Sequence, residues 1–238
     1  MESPPGWAHW TEKRADGMTI SPRGTRDREL ARIRDNMLRM SGLVDRAVEQ
    51  AVHALETRDL DLARQVMQDD QVINDLRYQV EEECLRLIAT QQPTAVDLRT
   101  TVAILNIIID LERIGDHAAG IAEIVVRMGT EPLLKPLIDI PRMTRIVREM
   151  LHRSLDAFIA HDPNLAREVA QRDDEVDHLY NQVFRELLTF MIEDPQTITR
   201  ATYLLWVAHN LERIGDRVTN ISERVIFMTT GEVRELNV

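Results

Sequence analysis

The sequence holds a single cysteine, Cys84, among 238 residues. An internal disulfide and a cysteine-rich metal site are therefore excluded. Its apolar, helical setting predicts a buried, inert thiol. Aromatic residues make up only 4% of the chain, and glycine and proline number nine each. So few strand formers and turn formers argue against an all-β chain and for long helices rich in Leu, Ala, Arg, Glu and Met. Basic residues are outnumbered 40 to 29, a net charge of -11. Nucleic acid is excluded as a partner, because its phosphates need a basic surface; cations and basic protein surfaces suit the chain better. No apolar run approaches the roughly 18 residues of a membrane span. The longest, Val102 to Leu111, runs into Glu112, Arg113 and Asp116. No basic region followed by an apolar core stands at the N-terminus, so no signal peptide is visible and a cytoplasmic protein is expected. Gly-rich phosphate loops, Ser or Cys nucleophile motifs and dinucleotide fingerprints are missing.

What is present is helical periodicity. Residues 1–24 carry Pro4, Pro5, Gly6, Gly17, Pro22 and Gly24 without any period, and read as a flexible tail whose Trp7 and Trp10 are free to dock. From Asp27 onward Leu30, Ile33, Met37, Met40, Val44, Ala47, Val48 and Ala51 recur at three and four. A break falls at Thr57-Arg58-Asp59. A second helix runs to Gln92, and Pro93 is expected to open a third that ends at Met128. Gly129, Pro132, Pro136 and Pro141 form a connector. Three more helices follow, divided at Asp162-Pro163 and Asp194-Pro195, where an acidic cap precedes a proline.

The second three helices repeat the first three. Met40 matches Met143, Asp59 matches Asp162, and Asp70, Ile73, Asn74 and Leu76 match Asp173, Val176, Asp177 and Leu179, all 103 apart. The offset then becomes 100, and Leu111-Glu112-Arg113-Ile114-Gly115-Asp116 is repeated without a difference at 211–216. The predicted fold is all-α: two tandem, sequence-related antiparallel three-helix bundles, 25–130 and 131–238.

Carboxylates sit at matching points of the repeat. Glu112 and Asp116 share a helix face, as do Glu212 and Asp216, and Asp173 and Asp177. Like charges at this spacing destabilise a helix by roughly 0.2–0.5 kcal/mol, so a compensating cation is expected nearby. If each second and third helix fold back on one another, Asp70 lies level with Asp116, Asn74 with Glu112, Asp173 with Asp216 and Asp177 with Glu212. Asp70, Glu112, Asp116, Asp173, Asp177, Glu212 and Asp216 are thus candidate ligands for a hard cation. The competing reading is a lattice of arginine–carboxylate pairs. Arg113 and Arg213 are expected to point away from the acid stripe. Gly115 and Gly215 fall within the apolar arc, where a mid-helix glycine costs about 1 kcal/mol; close approach of a neighbouring helix accounts for them. Glu149/His152 and Glu175/His178 have the spacing of di-iron carboxylate bundles, yet rotate away from the apolar stripe.

The doubled Leu-Glu-Arg-Ile-Gly-Asp, each followed by Ile121-Ala122-Glu123 or Ile221-Ser222-Glu223, resembles the PhoU family. The run Asp173 to Tyr180 and the opening near Arg26 to Leu30 resemble it too. The resemblance covers about residues 25 to 230. It implies two three-helix bundles and multinuclear metal binding through Glu/Asp-x-x-x-Asp motifs on Glu112/Asp116, Asp173/Asp177 and Glu212/Asp216; Fe, Mn, Mg, Zn and Ca are all open. Asp70 with Asn74 departs from the motif by an amide. The resemblance further implies a non-enzymatic negative regulator of phosphate uptake and starvation signalling. Its implied partners are the ATPase subunit of a phosphate ABC importer, a PhoR-type sensor histidine kinase and a second copy of itself, with membrane association only through partners. The alternative is a carboxylate-bridged metal enzyme, a di-iron oxidase or a phosphoester hydrolase.

Overall fold

The computed structural model describes residues 22–232. Trp7, Trp10 and residues 1–21 of the expected tail lie outside them, as do residues 233–238. Residues 22–24 of that tail already belong to the first helix. The elements are α1 (Pro22–Thr57), α2 (Leu60–Gln91), α3 (Ala95–Met128), α4 (Asp139–Ala160), α5 (Pro163–Gln171), α6 (Asp173–Glu193), a 3₁₀ turn Pro195–Thr197, and α7 (Ile198–Thr230). The all-α expectation holds. α5 and α6 are the single second helix expected for the second repeat, since Arg172 between them keeps right-handed helical dihedrals (φ -78, ψ -10).

Both repeats turn their first corner alike. Arg58 and His161, 103 apart, adopt positive φ of 60 and 53. The next residue, Asp59 or Asp162, caps the following helix by accepting two backbone N–H groups, from Asp61 and Leu62 or from Asn164 and Leu165. Pro163 sits at the first helical position as expected. Pro93 does not: Thr94 is the N-cap of α3, so Pro93 precedes the helix. Pro141 lies in the first turn of α4, where a missing N–H costs little.

Every periodic residue from Leu30 to Ala51 is buried. α1, α2 and α3 pack as one bundle and α4, α5–α6 and α7 as the other, and the most extensive pairing of all is α3 against α7, across the two bundles. That pairing is antiparallel with a local dyad. Asn220 donates to Asp110 at 3.2 Å, and His117 meets Asn210 at 2.9 Å. Asp110 and Asn210 are equivalent positions, as are His117 and Arg217; Arg217 in turn approaches Asp110 at 3.8 Å. The same dyad crosses the α1–α4 contact. There Arg148 makes a bidentate pair with Asp45 (2.8 and 2.9 Å) and a further bond to Glu49 at 2.6 Å. Asp45 and Arg148 occupy equivalent positions in the repeat, so identical residues there would set like charges face to face. Burial alone would raise the Asp45 carboxyl, but Arg148 and His152 hold it below the usual range.

Two equal halves related by a dyad perpendicular to the α3–α7 pair keep the same side forward. The α2/α3 groove and the α6/α7 groove therefore open on one face, opposite α1 and α4. Among the described residues no helix is long and apolar enough to cross a membrane.

Candidate metal centre

The α2–α3 and α6–α7 hairpins place the acids as their spacing from the turns predicts. In the first groove Asp70 and Glu112 both lie beside Asp116. In the second Asp177 lies beside Asp216, and Glu212 beside Asp216, Asp177 and Asp173. All seven candidates gather into these two groups, three in one and four in the other.

The glycines explain how the acids get there. A Cβ on Gly115 would meet Asp70 Oδ1 at 3.1 Å and Ile73 Cδ1 at 3.2 Å, and one on Gly215 would meet Asp173 Oδ1 at 2.5 Å. The expected close approach of a neighbouring helix is thus the approach of a carboxylate. Each glycine is a seat for the acid of the helix before it. Asp173 is buried there (4% exposed) and accepts a hydrogen bond from Thr219 at 3.2 Å. Asp70 accepts one from Asn74 at 3.0 Å, while its Oδ1 is buried without a hydrogen-bond partner.

Burial and crowding push Asp70, Glu112, Asp177 and Glu212 toward their protonated forms. Asp70 is raised by burial and by Asp116, with the Asn74 hydrogen bond opposing. Glu112 is raised by burial and by Asp116, with Arg113 and Arg77 opposing. Asp177 is raised by burial, then Asp216 and Asp174. Glu212 is pushed up to about 7 by burial and by Asp216. Its Oε2 is buried without a hydrogen bond, although His209 Nδ1 stands 3.4 Å away. The seated acids and the acids raised beside them leave a deficit of positive charge in both grooves.

One expectation holds only in part. Arg213 serves a salt bridge, one of the two roles open to it (the other a partner surface), but it turns back onto the acid stripe to do so and binds Asp216 Oδ2 at 2.7 Å. Arg113 comes within 3.7 Å of Glu112. A long guanidinium side chain folds along its own helix toward a cluster of negative charge, which its Cα position alone does not reveal. The arginine lattice is therefore present in part, with Arg113 and Arg77 beside Glu112 and Arg213 on Asp216.

The donor chemistry fits a hard cation, all oxygen and all acidic, and Asp70 Oδ1 and Glu212 Oε2, both buried without a hydrogen bond, are acceptors such an ion would satisfy. As the side chains stand, no three His, Cys, Asp or Glu among the described residues converge closely enough to hold an ion. A cation in either groove would therefore require its carboxylates to move closer together.

The rival pairs are committed elsewhere. Glu149 binds Arg172 at 2.9 Å, Arg172 also reaches Glu175, and His152 Nε2 meets Asp45 at 3.2 Å. Glu149 and His152 line an open cleft of about 740 Å³ between α1 and α4, on the opposite face from the acids. The dyad cluster of Asp110, His117, Asn210 and Asn220 escaped sequence reasoning. Its signal was polar residues at matching points of two otherwise apolar helices. Cys84 is buried as expected, its thiol pushed up to about 12 by burial.

The PhoU domain family model matches this chain twice, over residues 37–125 and 140–225. The phosphate-specific transport system accessory protein PhoU homolog of Aquifex aeolicus is 41% identical over 206 residues, covering 87% of this chain and 93% of that protein. The Caulobacter vibrioides homolog of the same name is 43% identical over 205 residues, 86% of this chain and 89% of its own. A crystal structure of PhoU from Pseudomonas aeruginosa superposes with a TM-score of 0.83 at 40% identity, covering 87% of this chain and 99% of that one. The phosphate transport system regulatory protein PhoU from Streptococcus pneumoniae gives 0.83 at 32% identity, with 89% and 100% covered.

Proposed function

The chain belongs to the PhoU family, and from that premise we propose that it is a non-enzymatic accessory regulator of a phosphate-specific transporter. It represses uptake and the phosphate-starvation response when phosphate is sufficient. It does so as a homodimer that bridges the importer's ATPase subunit and a PhoR-type sensor histidine kinase. The observation that carries the reading is the pairing of a two-domain family match with two acid-lined grooves on one face.

Asp70, Glu112 and Asp116 would hold a cation in the first groove, and Asp173, Asp177, Glu212 and Asp216 in the second. Bound there, a divalent or trivalent ion supplies positive charge that keeps the raised carboxyls ionised. The protein's own residues do the rest. The glycine seats fix Asp70 and Asp173, Thr219 orients Asp173, and Arg213 restrains Asp216. The long amphipathic helices leave broad charged faces for partner helices.

The test has two arms. Metal content is measured in untagged wild type beside Glu112→Ala/Glu212→Ala, and both are assayed for binding to the ATPase subunit and to the cytoplasmic part of the kinase. Metal in the wild type that falls in the variant supports the cation sites; equal content in both sinks them. Binding to neither partner sinks the regulatory reading.

A further inference from the structure

We propose that the α6/α7 groove is a docking surface for an amphipathic helix of a partner protein, apolar along most of its length and basic at one end. The inference rests on the accessory reading above only for the partner's identity. At 100° per residue, Asp177, Phe184 and Leu188 fall within about 40° of one another on α6, on the side that faces α7. Phe184 is 41% exposed, Leu188 43%, Ile192 74%, and Ile198, across the turn on α7, 47%. Tyr180, Met191 and Leu205 pack against the core beneath them and form a floor. Exposed apolar residues scattered singly are ordinary, but a continuous stripe marks an interaction site. From Asp177 to Ile192 the stripe runs about 22 Å, the length of four turns of a partner helix.

The first repeat supplies the comparison. At the positions of Tyr180 and Phe184 it carries Arg77 and Glu81, an ion pair at 3.3 Å. At the position of Ile192 it carries Ala89. Leu188, Met191, Ile198 and Leu205 keep apolar counterparts, Leu85, Ile88, Leu98 and Leu105. The backbone accommodates an ion pair at the positions of Tyr180 and Phe184, so two aromatic rings there are not a requirement of folding.

Charge identifies the occupant. The apolar stripe ends at Asp177, Glu212 and Asp216, where Arg213 is bonded to Asp216. An occupant that covers both parts needs apolar side chains every three or four residues and Lys or Arg at the end over the acids, where it takes the place of a bound cation. Anionic lipid is repelled by the same acids.

The proposal is tested on the full chain, in chelator so that no cation occupies the acids, with a labelled synthetic 16-residue helix that has Leu and Ile on one face and three Lys at one end, beside its scrambled sequence. The variants are Tyr180→Arg/Phe184→Glu, which installs the pair the first repeat carries, and Phe184→Glu/Ile192→Ala, which leaves the acid end untouched. Glu81→Ala in the other groove is the control. The wild type and Glu81→Ala are expected to bind the peptide, the scramble to bind more weakly, and both groove variants to lose at least tenfold. No binding to the wild type, equal binding to the scramble, or unchanged binding by both variants overturns the proposal. A wild-type dimer that dissociates in both variants overturns it too, since the groove then holds a second copy. The ATPase subunit and the kinase region are assayed on the same proteins. If the peptide result holds and neither protein binds, the accessory reading fails and the groove stands.

Discussion

The two acid grooves share one backbone plan, and two of the charge differences on the helix that seats the acid stand out. Asn74 in the first stands where Asp177 stands in the second, and Arg77 where Tyr180 stands. The glycine seats, the paired Glu and Asp of the LERIGD segment and the antiparallel register are common to both. The first groove therefore gathers three carboxylates with Arg77 opposing the rise of Glu112, whereas the second gathers four and Glu212 reaches about 7. Duplication fixed where the acids sit, and two side chains outside the shared motif set how strained their charges are.

The largest expected effect is on cation binding. Asp177→Asn makes the second groove resemble the first, and Asn74→Asp makes the first resemble the second. Each exchange of amide for carboxylate is expected to move affinity about tenfold, or ~1.4 kcal/mol, downward in the former and upward in the latter. Combining Asp177→Asn with Glu212→Gln is expected to reduce affinity about a hundredfold. Calorimetric titration with Mn²⁺ reads all three, and equal affinities in every variant break the comparison.

The seats come next. Ala at Gly215 must displace the buried Asp173 carboxylate, since 2.5 Å is far inside contact, whereas 3.1 and 3.2 Å at Gly115 ask for a shift of a few tenths of an ångström. Overpacking costs ~1–3 kcal/mol and the helix gains ~1 kcal/mol from replacing glycine. Gly215→Ala is expected to destabilise by about 1–2 kcal/mol, and Gly115→Ala to change stability by less than about 1 kcal/mol, in urea denaturation. Asp173→Ala added to Gly215→Ala restores the loss if the carboxylate is the cause.

Much of this plan was legible in the sequence because it is written in helical period and in repetition. The core stripe of α1, the caps Asp59 and Asp162, and the level pairing of Asp70 with Asp116 follow from rise, rotation and distance from a turn. The reason for Gly115 and Gly215 was legible only as crowding. That a carboxylate does the crowding depends on a rotamer. Arg213 shows the same limit: helical rotation fixes its Cβ, and a flexible stem of several bonds carries the charge back to Asp216. The α3–α7 dyad was hidden because each repeat explains its own periodicity. Only contacts such as Asp110 with Asn220 reveal which apolar faces meet.

The caps set the scale of a site that duplication left unchanged. Asp59 and Asp162 each accept two backbone N–H groups at 2.9–3.1 Å. Asp59→Ala and Asp162→Ala are each expected to cost about 1 kcal/mol, a melting shift of ~2–4 °C in a chain of this length. Unequal losses would show that the two corners have diverged despite their matching geometry.

The smallest effect isolates Tyr180. The Glu212 carboxyl, about 7 in the folded chain, titrates near 4.3 when unfolded. Between those values the folded state binds more protons than the unfolded one, so stability falls as pH rises and levels off above pH 7. In chelator, to keep cations away, the wild-type melting temperature is expected to decline across that window. Tyr180→Arg places the first repeat's cation beside Glu212, lowers its folded titration point and flattens the decline. The two proteins then differ little at pH 5, and at pH 8 the variant is the more stable, by about 0.5–1 kcal/mol after solvent screening or ~1–4 °C. Glu212→Gln, which cannot titrate, flattens the same window. If the decline persists in both variants, it originates in Asp70, Asp110, Glu112 or Asp177, the other carboxyls that burial and a neighbouring acid raise, and the charge difference between the grooves does not reside at position 180.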